Sequence, residues 1–588
     1  MAGHRREKRN IRALWRRENS WILIIVALAL VLRVVYLLQV RGHLFFNNYG
    51  DSLIYHWWAQ SIIQGSPGPP VFYMSPLYPY LLAIFYGIFG PHPEVVLWFQ
   101  VLLGASSCGL IYLLGQMTFG RSVGLLAALM GALYAVEIFY EGMLLMATVL
   151  YAINLLLLVS IYFAQRRKKW LLWIVPGLFL GISAVGRASV LAFLPLLILG
   201  IFLLSRARWQ KSVRQSAAVL LGVFLVLAPV ALHNVVVGND LVLITSNLGL
   251  NFFVGNNPDA PGHYDQPKGL ESSMDMDGSK IAMAFMGKRL KHSEVSRFWF
   301  QKGLDFVKTQ PRVFLRLTLD KVLFFWNAYE IPQVEHLDFF KRFAPLLRLP
   351  LLRFAILGPL GLLGLALSLG RWRQVYFALG FFVALMVATI LFFVISRIRL
   401  QVCSVLMIFA AYALVWLWER LRARRIWQLG LAVLALAGLA LLVNRPHPAL
   451  NVARDMAKSR NYLANSLARE GNLQQAFREF SETAVAYPQL GLTYINLANL
   501  YFMQNRNDKG MELLKKALQA DPQVSAAHLI MGNFYAKQGK WDQAIVEYRA
   551  EIKSSPYSLM AHTAFARAMK EKKKLESESG AESDFSQP

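Results

Sequence analysis

Charged residues are scarce in this chain. Asp, Glu, Lys and Arg together make up 16% of its 588 residues, whereas hydrophobic residues make up 56%. Ordinary soluble proteins are about 45–50% apolar, so this composition excludes an ordinary soluble protein. The apolar excess lies before residue 444, and the stretch after it has the mixed charge of a water-soluble segment. The chain therefore has two parts.

Acidic residues are scarcer than basic ones, since 34 Asp and Glu stand against 61 Lys and Arg, for a net charge of +27. In a soluble protein this excess would suggest nucleic-acid binding. Here the basic residues form short clusters between apolar runs, which is typical of the cytoplasmic loops of membrane proteins. We therefore expect no nucleic-acid partner.

Cysteine is nearly absent, and the common catalytic motifs are missing. Cys108 and Cys403 lie in or beside apolar runs and have no CxxC or Cys/His spacing, so the sequence predicts no metal site of its own. There is no GxxxxGK[ST], HExxH or GxSxG motif. These absences exclude P-loop nucleotide hydrolysis, zinc proteolysis and the nucleophile-elbow hydrolases.

Apolar runs of about 20 residues predict membrane-spanning helices. About eleven runs meet this criterion: 21–40, 94–118, 122–140, 143–164, 171–186, 190–204, 216–236, 351–369, 375–395, 401–417 and 427–443. The run 77–90 is shorter and has Pro76 and Pro79 at its start, so we interpret it as a juxtamembrane or re-entrant helix. The predicted fold class is all-α, a polytopic membrane helical bundle.

Basic clusters predict the orientation of this bundle. If the run 77–90 does not cross, the clusters 166–169, 206–214, 371–373 and 420–425 all face the cytoplasm, as does the basic segment 1–19. No small-x-small cleavage site follows the run 21–40, so we read it as an uncleaved helix. The loops 41–74 and 237–350 and everything after residue 444 then lie outside, in the periplasm of a bacterial inner-membrane protein.

The C-terminal part has an internal period of about 34 residues, marked by Pro488, Pro522 and Pro556. The pattern resembles the tetratricopeptide repeat, although Gly510 replaces an alanine and Glu551 a small residue. We predict a linker at 444–456, an α-solenoid of three repeats and a terminal helix at 457–570, and a disordered tail at 571–588. Such repeats bind peptides or proteins, so we expect a protein partner there.

Residues 20–443 form the predicted membrane domain and resemble the integral-membrane glycosyltransferases of the GT-C type. These include the protein O-mannosyltransferases and the lipid A aminoarabinose transferase. The resemblance rests on Asp51 in "NNYGDSLIYHWWAQSIIQG", the Pro-Leu-Tyr-Pro helix start at Pro76, and "FGRSVGLLAALMGALYAVEIFYEGMLL". It implies a polyprenyl-phosphate sugar as co-substrate, lipid around the bundle, and a protein or glycan acceptor. No soluble nucleotide-sugar domain lies between the helices, which also favours a lipid-borne donor.

Asp51 is the candidate catalytic residue. In the family this acid takes the acceptor's proton, or binds a metal ion in the oligosaccharyltransferase relatives, so the resemblance leaves a divalent metal open without support from any motif. Inversion at an anomeric carbon requires a nucleophile relieved of its proton. The alternative reading is a loop cap or solvated charge, with Tyr55 and Trp58 on an interfacial amphipathic helix.

Arginines at outside helix ends are candidates for binding the donor phosphate. Arg397 and Arg399 in "VISRIRLQV" lie where cations are disfavoured, and the resemblance places a phosphate-binding residue near this junction. Snorkelling to lipid headgroups is the alternative. Arg187 in "GISAVGRASV" is a third candidate, although it or Arg33 can instead form an ion pair with Glu137, Glu141 or Asp51.

Five further residues are candidates for acid, substrate or stacking contacts. Glu141 loosely matches a second acid of related transferases. Asn256 and Asn257 suit either a tight turn or sugar hydroxyls, and His263 can reach an acceptor. Trp326, near Glu330, offers a stacking surface, although packing at the membrane interface explains it as well.

Three functions remain open from the sequence. The first is an inverting transfer from a polyprenyl-phosphate sugar, with Asp51 as the base and Arg397 and Arg399 on the phosphate. The second is a ligase or polymerase of the O-antigen type, which uses pyrophosphate-linked oligosaccharides and relies on loop residues such as His263. The third is a membrane-anchored repeat scaffold without enzymatic activity.

Overall fold

The computed structural model describes residues 2–43, 50–66, 68–167, 169–204, 209–270 and 275–584, with side chains described between residues 20 and 576. The side chains of the basic segment 1–19, Lys168, the cluster residues 206–208 and the last four residues of the predicted tail lie outside this description.

The described chain is almost entirely helical. The first ten helices are α1 (Ala2–Val40), α2 (Gly50–Ile63), α3 (Leu77–Phe89), α4 (Pro93–Thr118), α5 (Arg121–Ala132), α6 (Ala135–Glu141), α7 (Ala147–Arg166), α8 (Ile174–Gly186), α9 (Phe193–Leu204) and α10 (Trp209–Val236). The next nine are α11 (Leu248–Gly255), α12 (Ser279–Met286), α13 (His292–Thr309), α14 (Pro311–Trp326), α15 (Leu337–Phe340), α16 (Phe354–Ser368), α17 (Trp372–Leu391), α18 (Ser396–Arg422) and α19 (Ile426–Asn444). The C-terminal helices are α20 (Val452–Arg469), α21 (Leu473–Ala486), α22 (Gly491–Met503), α23 (Asn507–Ala520), α24 (Ala527–Lys537), α25 (Trp541–Ser554) and α26 (Leu559–Asp584).

The chain divides into two compact units. The membrane unit comprises Met1–Asn247, Pro261–Tyr264 and Gln310–Leu450, and the repeat unit comprises Leu248–Ala260, Asp265–Thr309 and Asn451–Pro588. The boundary between Leu450 and Asn451 falls within the predicted linker 444–456. The division differs from the predicted one in the loop 237–350, because its residues 248–260 and 265–309 belong to the repeat unit.

The membrane unit confirms the prediction of an all-helical polytopic bundle. Seven segments of the described chain are long and apolar enough to cross a membrane: Ser20–His43, Pro93–Thr118, Ala147–Arg166, Trp209–Val236, Phe354–Leu391, Ser396–Arg422 and Ile426–Asn444. Four apolar helical segments are shorter: Leu77–Phe89, Arg121–Ala132, Trp170–Gly186 and Ala188–Leu204. Helix α3 has 13 residues and so is roughly 20 Å long, which is less than the thickness of a bilayer core of about 30 Å.

The predicted span 122–140 is not one helix. Helix α5 ends at Ala132 and α6 begins at Ala135, because the intervening backbone bonds to another segment. Leu352 donates its N–H to Leu133 and accepts one from Ala135, each over 2.9 Å.

The break gives the short helix α6 its own direction and buries two glutamates against α1. The guanidinium of Arg33 lies 2.9 Å from the carboxylate of Glu141 and 3.5 Å from that of Glu137, and all three side chains are fully buried. A buried charge requires such a partner. This ion-pair cluster joins α1 to α6 inside the bundle.

The repeat unit contains three helical hairpins, α20–α21, α22–α23 and α24–α25, followed by α26. Both departures from the repeat pattern have a local cause. A Cβ at Gly510 would lie 2.6 Å from the Phe502 ring, which therefore takes the space of the usual methyl group. The buried Glu551 carboxylate accepts the N–H groups of Ala526 at 2.9 Å and Leu529 at 3.2 Å, and so caps the start of α24.

Helices α11 to α13 pack within the repeat unit. The fully buried Trp299 ring lies 5.0 Å from Phe253 and 5.7 Å from Tyr557. Gly269 has φ +83°, and a Cβ there would lie 2.3 Å from the backbone nitrogen of Ser558. Helix α26 continues to Asp584, through most of the segment 571–588 that was predicted to be disordered.

Candidate functional site

Asp51 and Arg397 form an ion pair in the membrane unit. The Arg397 guanidinium Nη2 lies 2.8 Å from Oδ2 of Asp51, and the two side chains are 20% and 25% exposed. Asp51 lies in the first turn of α2, where the helix dipole favours an anion. Arg397 lies in the first turn of α18, where the dipole disfavours a cation. The Asp51 carboxylate therefore stabilises an otherwise disfavoured arginine.

Arg187 is a second cation beside this pair. It follows the last residue of α8 with an extended backbone, and it interacts electrostatically with Arg397, Tyr55 and Asp51. Its Nε is buried and has no hydrogen-bond partner in the described part of the chain. Two guanidinium groups around one carboxylate leave an excess positive charge, which suits a phosphate ligand.

Tyr55 fixes the first turns of α2 against the bundle. Its ring is buried and meets Tyr78 edge-on at 5.3 Å. The Tyr78 hydroxyl donates to Gln100 over 2.6 Å, and the Gln100 amide donates to the carbonyls of Glu141 and Met143 over 2.9 and 2.8 Å. Helices α3 and α4 therefore hold the helix that carries Asp51.

Glu335 is a further acid near the pair, and the sequence analysis missed it. It lies in the loop between α14 and α15 and interacts electrostatically with Arg397 and Asp51. Burial raises the pKa of the Glu335 carboxyl to about 7, with Arg397 lowering it and Asp51 raising it. The one available sequence signal was a second acid in "YEIPQVEH", five residues after Glu330.

Arg399 belongs to a second ion pair. It is 2% exposed, and its Nη2 lies 2.7 Å from the Glu330 carboxylate. It also donates to the carbonyls of Phe325 and Asn327 over 3.1 and 2.6 Å, and it stacks 3.7 Å from the Phe354 ring centre. These contacts hold the chain that leaves α14, so Arg399 and Arg397 have different surroundings.

Two loop segments form backbone hydrogen bonds with the residues just before α18 and at its start. His263 pairs with Val394 in an isolated β-bridge, and Val394 donates its N–H to Gly262 over 3.1 Å. Ser396 donates its N–H to Ile331 over 2.9 Å. His263 therefore lies against the segment that leads into Arg397, and its ring is 6.4 Å from that of Phe324.

The remaining candidates lie in other surroundings. Glu141 is engaged with Arg33, as described above. Asn256 and Asn257 belong to the repeat unit and donate to the carbonyls of Phe252 and Phe253, each over 2.9 Å. The asparagines thus bond to the end of their own helix, α11. The Trp326 ring packs against other aromatic rings, those of Phe354 and Phe382.

A divalent metal does not fit the arrangement around Asp51. Within the described ranges, no three His, Cys, Asp or Glu side chains come together as a ligand set. The Asp51 carboxylate instead faces the guanidinium of Arg397, whose positive charge opposes a bound cation.

Comparisons with known proteins give a partial match. Residues 71–234 match the family described as dolichyl-phosphate-mannose-protein mannosyltransferase, and this range contains Arg187 but neither Asp51 nor Arg397. No curated protein sequence matches the chain.

Among solved structures, the oligosaccharyltransferase of Archaeoglobus fulgidus is similar in two states. The apo crystal structure is 13% identical, with 78% of this chain and 56% of that chain covered and a TM-score of 0.40. The complex with an inhibitory peptide and a dolichol-phosphate is 14% identical, with 76% and 58% covered and a TM-score of 0.41. This chain thus spans less than two thirds of the length of either.

Proposed function

We propose that the chain is an inverting glycosyltransferase of the GT-C type, which moves a sugar from a polyprenyl-phosphate carrier to an acceptor. The match of residues 71–234 supports a glycosyltransferase that uses lipid-linked donors. The observation that carries the proposal is the Asp51–Arg397 pair with Arg187 beside it. This constellation combines one base with two cations for a departing phosphate.

The order of the reaction steps follows from an exchange at Arg397, where the donor phosphate replaces Asp51. The donor phosphate displaces Asp51 from Arg397, because a guanidinium binds phosphate well and Arg187 adds a second positive charge. The freed Asp51 carboxylate then accepts the proton of the acceptor nucleophile, which attacks the anomeric carbon. The bond from that carbon to the phosphate oxygen breaks with inversion. Its electron pair leaves on the polyprenyl phosphate, which Arg397 and Arg187 stabilise.

The orientation and the role of the repeats belong to the same proposal. The basic clusters between apolar runs favour a cytoplasmic N-terminus and an outside reaction face, in a bacterial inner membrane. The three helical hairpins and their period support tetratricopeptide repeats, which would recruit the acceptor or a partner protein.

The substitution Asp51→Asn tests the proposed base. It keeps the size of the side chain but removes its ability to take a proton, so transfer from a polyprenyl-phosphate sugar by the purified chain should fall by about 100-fold or more. Asp338→Asn is the matched control. It makes the same Asp-to-Asn change at an acid whose ion pairs are with Lys341 at 2.8 Å and Arg353 at 3.0 Å, and not with Arg397. Undiminished transfer by D51N would refute the assignment.

A ligase that uses a pyrophosphate-linked oligosaccharide remains the second candidate, because His263 lies against the segment leading into Arg397. For that chemistry, His263→Ala should abolish transfer from the pyrophosphate donor. D51N should leave that transfer intact. The two variants, assayed with both donors, therefore separate the candidates.

A further inference from the structure

The turn between α12 and α13 exposes two large apolar side chains. Phe285 and Met286 end α12 and are 54% and 50% exposed. Gly287 follows with φ +65°, and a Cβ there would meet nothing within 4 Å. The Phe285 ring also lies 6.3 Å from Phe298 and 6.2 Å from Tyr557. Adjacent apolar side chains that remain about half exposed are unfavourable in water and indicate a candidate contact site. We call residues 285–291 the α12–α13 tip.

The apolar residues of the tip are bordered by cations. Lys288, Arg289 and Lys291 are exposed immediately after Gly287. In α13, Arg297 is exposed. The ammonium of Lys302, also in α13, lies 5.8 Å from the centre of the Phe285 ring.

Nearby acids are engaged in local contacts. The Asp275 carboxylate accepts the N–H of Ile281 over 2.9 Å, and the Glu294 carboxylate accepts that of Lys291 over 2.8 Å. Asp277 pairs with His292 at 3.4 Å. These three acids stabilise helix starts or a local pair, and the five cations named above outnumber them, so the net charge around the tip is positive.

We propose that the α12–α13 tip binds an anionic lipid surface, with Phe285 and Met286 entering the headgroup boundary and the cations contacting lipid phosphates. Apolar residues bordered by Lys and Arg are the combination that binds the interface of anionic bilayers. Along the chain, helix α13 and Gln310 separate the tip from α14 of the membrane unit. This contact does not depend on the proposed transferase activity.

Quenching by spin-labelled lipids tests the proposal on the full chain. The variant Met286→Cys, labelled with a fluorophore, is placed in nanodiscs of phosphatidylcholine with or without phosphatidylglycerol, each carrying nitroxide lipids. Both native cysteines are buried, so the label attaches to the introduced one. Val546→Cys on α25, whose side chain is 64% exposed, is the matched control. We expect quenching at position 286 that depends on phosphatidylglycerol, and no such dependence at position 546.

Charge reversal at the tip provides the second arm. Adding Lys288→Glu and Arg289→Glu to the labelled protein should lower the equilibrium constant for lipid contact by about fivefold or more, because each cation near an anionic surface contributes. A label at position 286 that stays unquenched with phosphatidylglycerol would overturn the proposal and favour a soluble anionic partner. Quenching that does not change with the lipid charge, or that does not change on charge reversal, would also overturn the proposal.

Discussion

The carboxylate of Asp51 and the guanidinium of Arg397 stabilise each other at two helix starts. Sequence analysis predicted Asp51 as a candidate from the family resemblance, and Arg397 because a cation is disfavoured at an outside helix junction. It could not predict their contact, since they are 346 positions apart and no spacing rule joins residues so distant. Arg397 and Arg399 looked equivalent in the sequence. On a helix, residues two apart do not share a face, so one meets Asp51 and the other Glu330.

Glu335 should make the reaction sensitive to pH near neutrality. Its pKa is raised to about 7 by burial, so the carboxyl is neutral below that pH and gains a negative charge above it. That charge would compete for Arg397 and repel the donor phosphate, so transfer should fall as pH rises through about 7.

The pH–rate profiles of three proteins check this expectation. Glu335→Gln should lose the decline near pH 7, because its side chain cannot ionise, whereas Glu335→Asp should keep a decline in the same direction. Superimposable profiles for the wild type and E335Q would show that Glu335 does not titrate at the site.

At the scale of elements, the hydropathy pattern located most apolar helices but not their ends. The run 122–140 contains no proline and reads as one helix, yet the backbone of Leu352 separates it into α5 and α6. That pairing joins segments that are far apart in the sequence, so no local sequence pattern predicts it. The buried Arg33 with Glu137 and Glu141 was predictable as an ion pair, because isolated charges among apolar residues need partners.

The bond between Tyr78 and Gln100 should support the position of α2. Tyr78→Phe leaves the buried Gln100 oxygen without its donor, so the free energy of unfolding should fall by about 1–3 kcal/mol. Sugar transfer should fall as well, because α3, which packs against Tyr55 through Tyr78, loses its hydrogen bond to Gln100 of α4. Tyr80→Phe on the same helix, where the side chain is exposed, should change neither property.

Thermal unfolding in detergent and transfer assays at equal folded concentration separate these effects. A Y78F protein that is destabilised but fully active when folded would show that α3 supports the fold and does not position Asp51.

At the scale of the whole molecule, the chain forms two units, and the boundary between Leu450 and Asn451 falls within the predicted linker 444–456. The loop residues 248–260 and 265–309, which were expected in the membrane domain, belong to the repeat unit instead. The period of about 34 residues located the three helical hairpins, but not the loop that packs with them. Phe253 and Trp299 lie in the loop 237–350, where no sequence pattern singles them out. Only contacts far along the chain, such as those with Tyr557, reveal their role.

Gly269 should be essential for the packing of this loop within the repeat unit. In Gly269→Ala the new Cβ would lie 2.3 Å from the Ser558 nitrogen, and backbone atoms cannot move aside cheaply. Gly471→Ala is the matched control, because its φ is +85° but nothing lies within 4 Å of a Cβ. In both variants the free energy of unfolding should fall by about 1 kcal/mol from the left-handed backbone conformation alone.

Limited proteolysis of the full chain distinguishes the two glycine variants. G269A should be cleaved faster between residues 265 and 309, whereas G471A should show the wild-type cleavage rate in that segment. Equal rates for both variants would mean that the loop does not depend on this close approach.

Donor binding tests the central claim most directly, namely that Arg397 exchanges Asp51 for the donor phosphate. The measurement is the affinity of a polyprenyl-phosphate sugar for the wild type, Asp51→Asn and Arg397→Gln, each purified as the full chain. D51N should bind the donor at least as tightly as the wild type, because the competing carboxylate is gone, while R397Q should bind it at least about tenfold more weakly. Weaker binding by D51N, or unchanged binding by R397Q, would contradict the account.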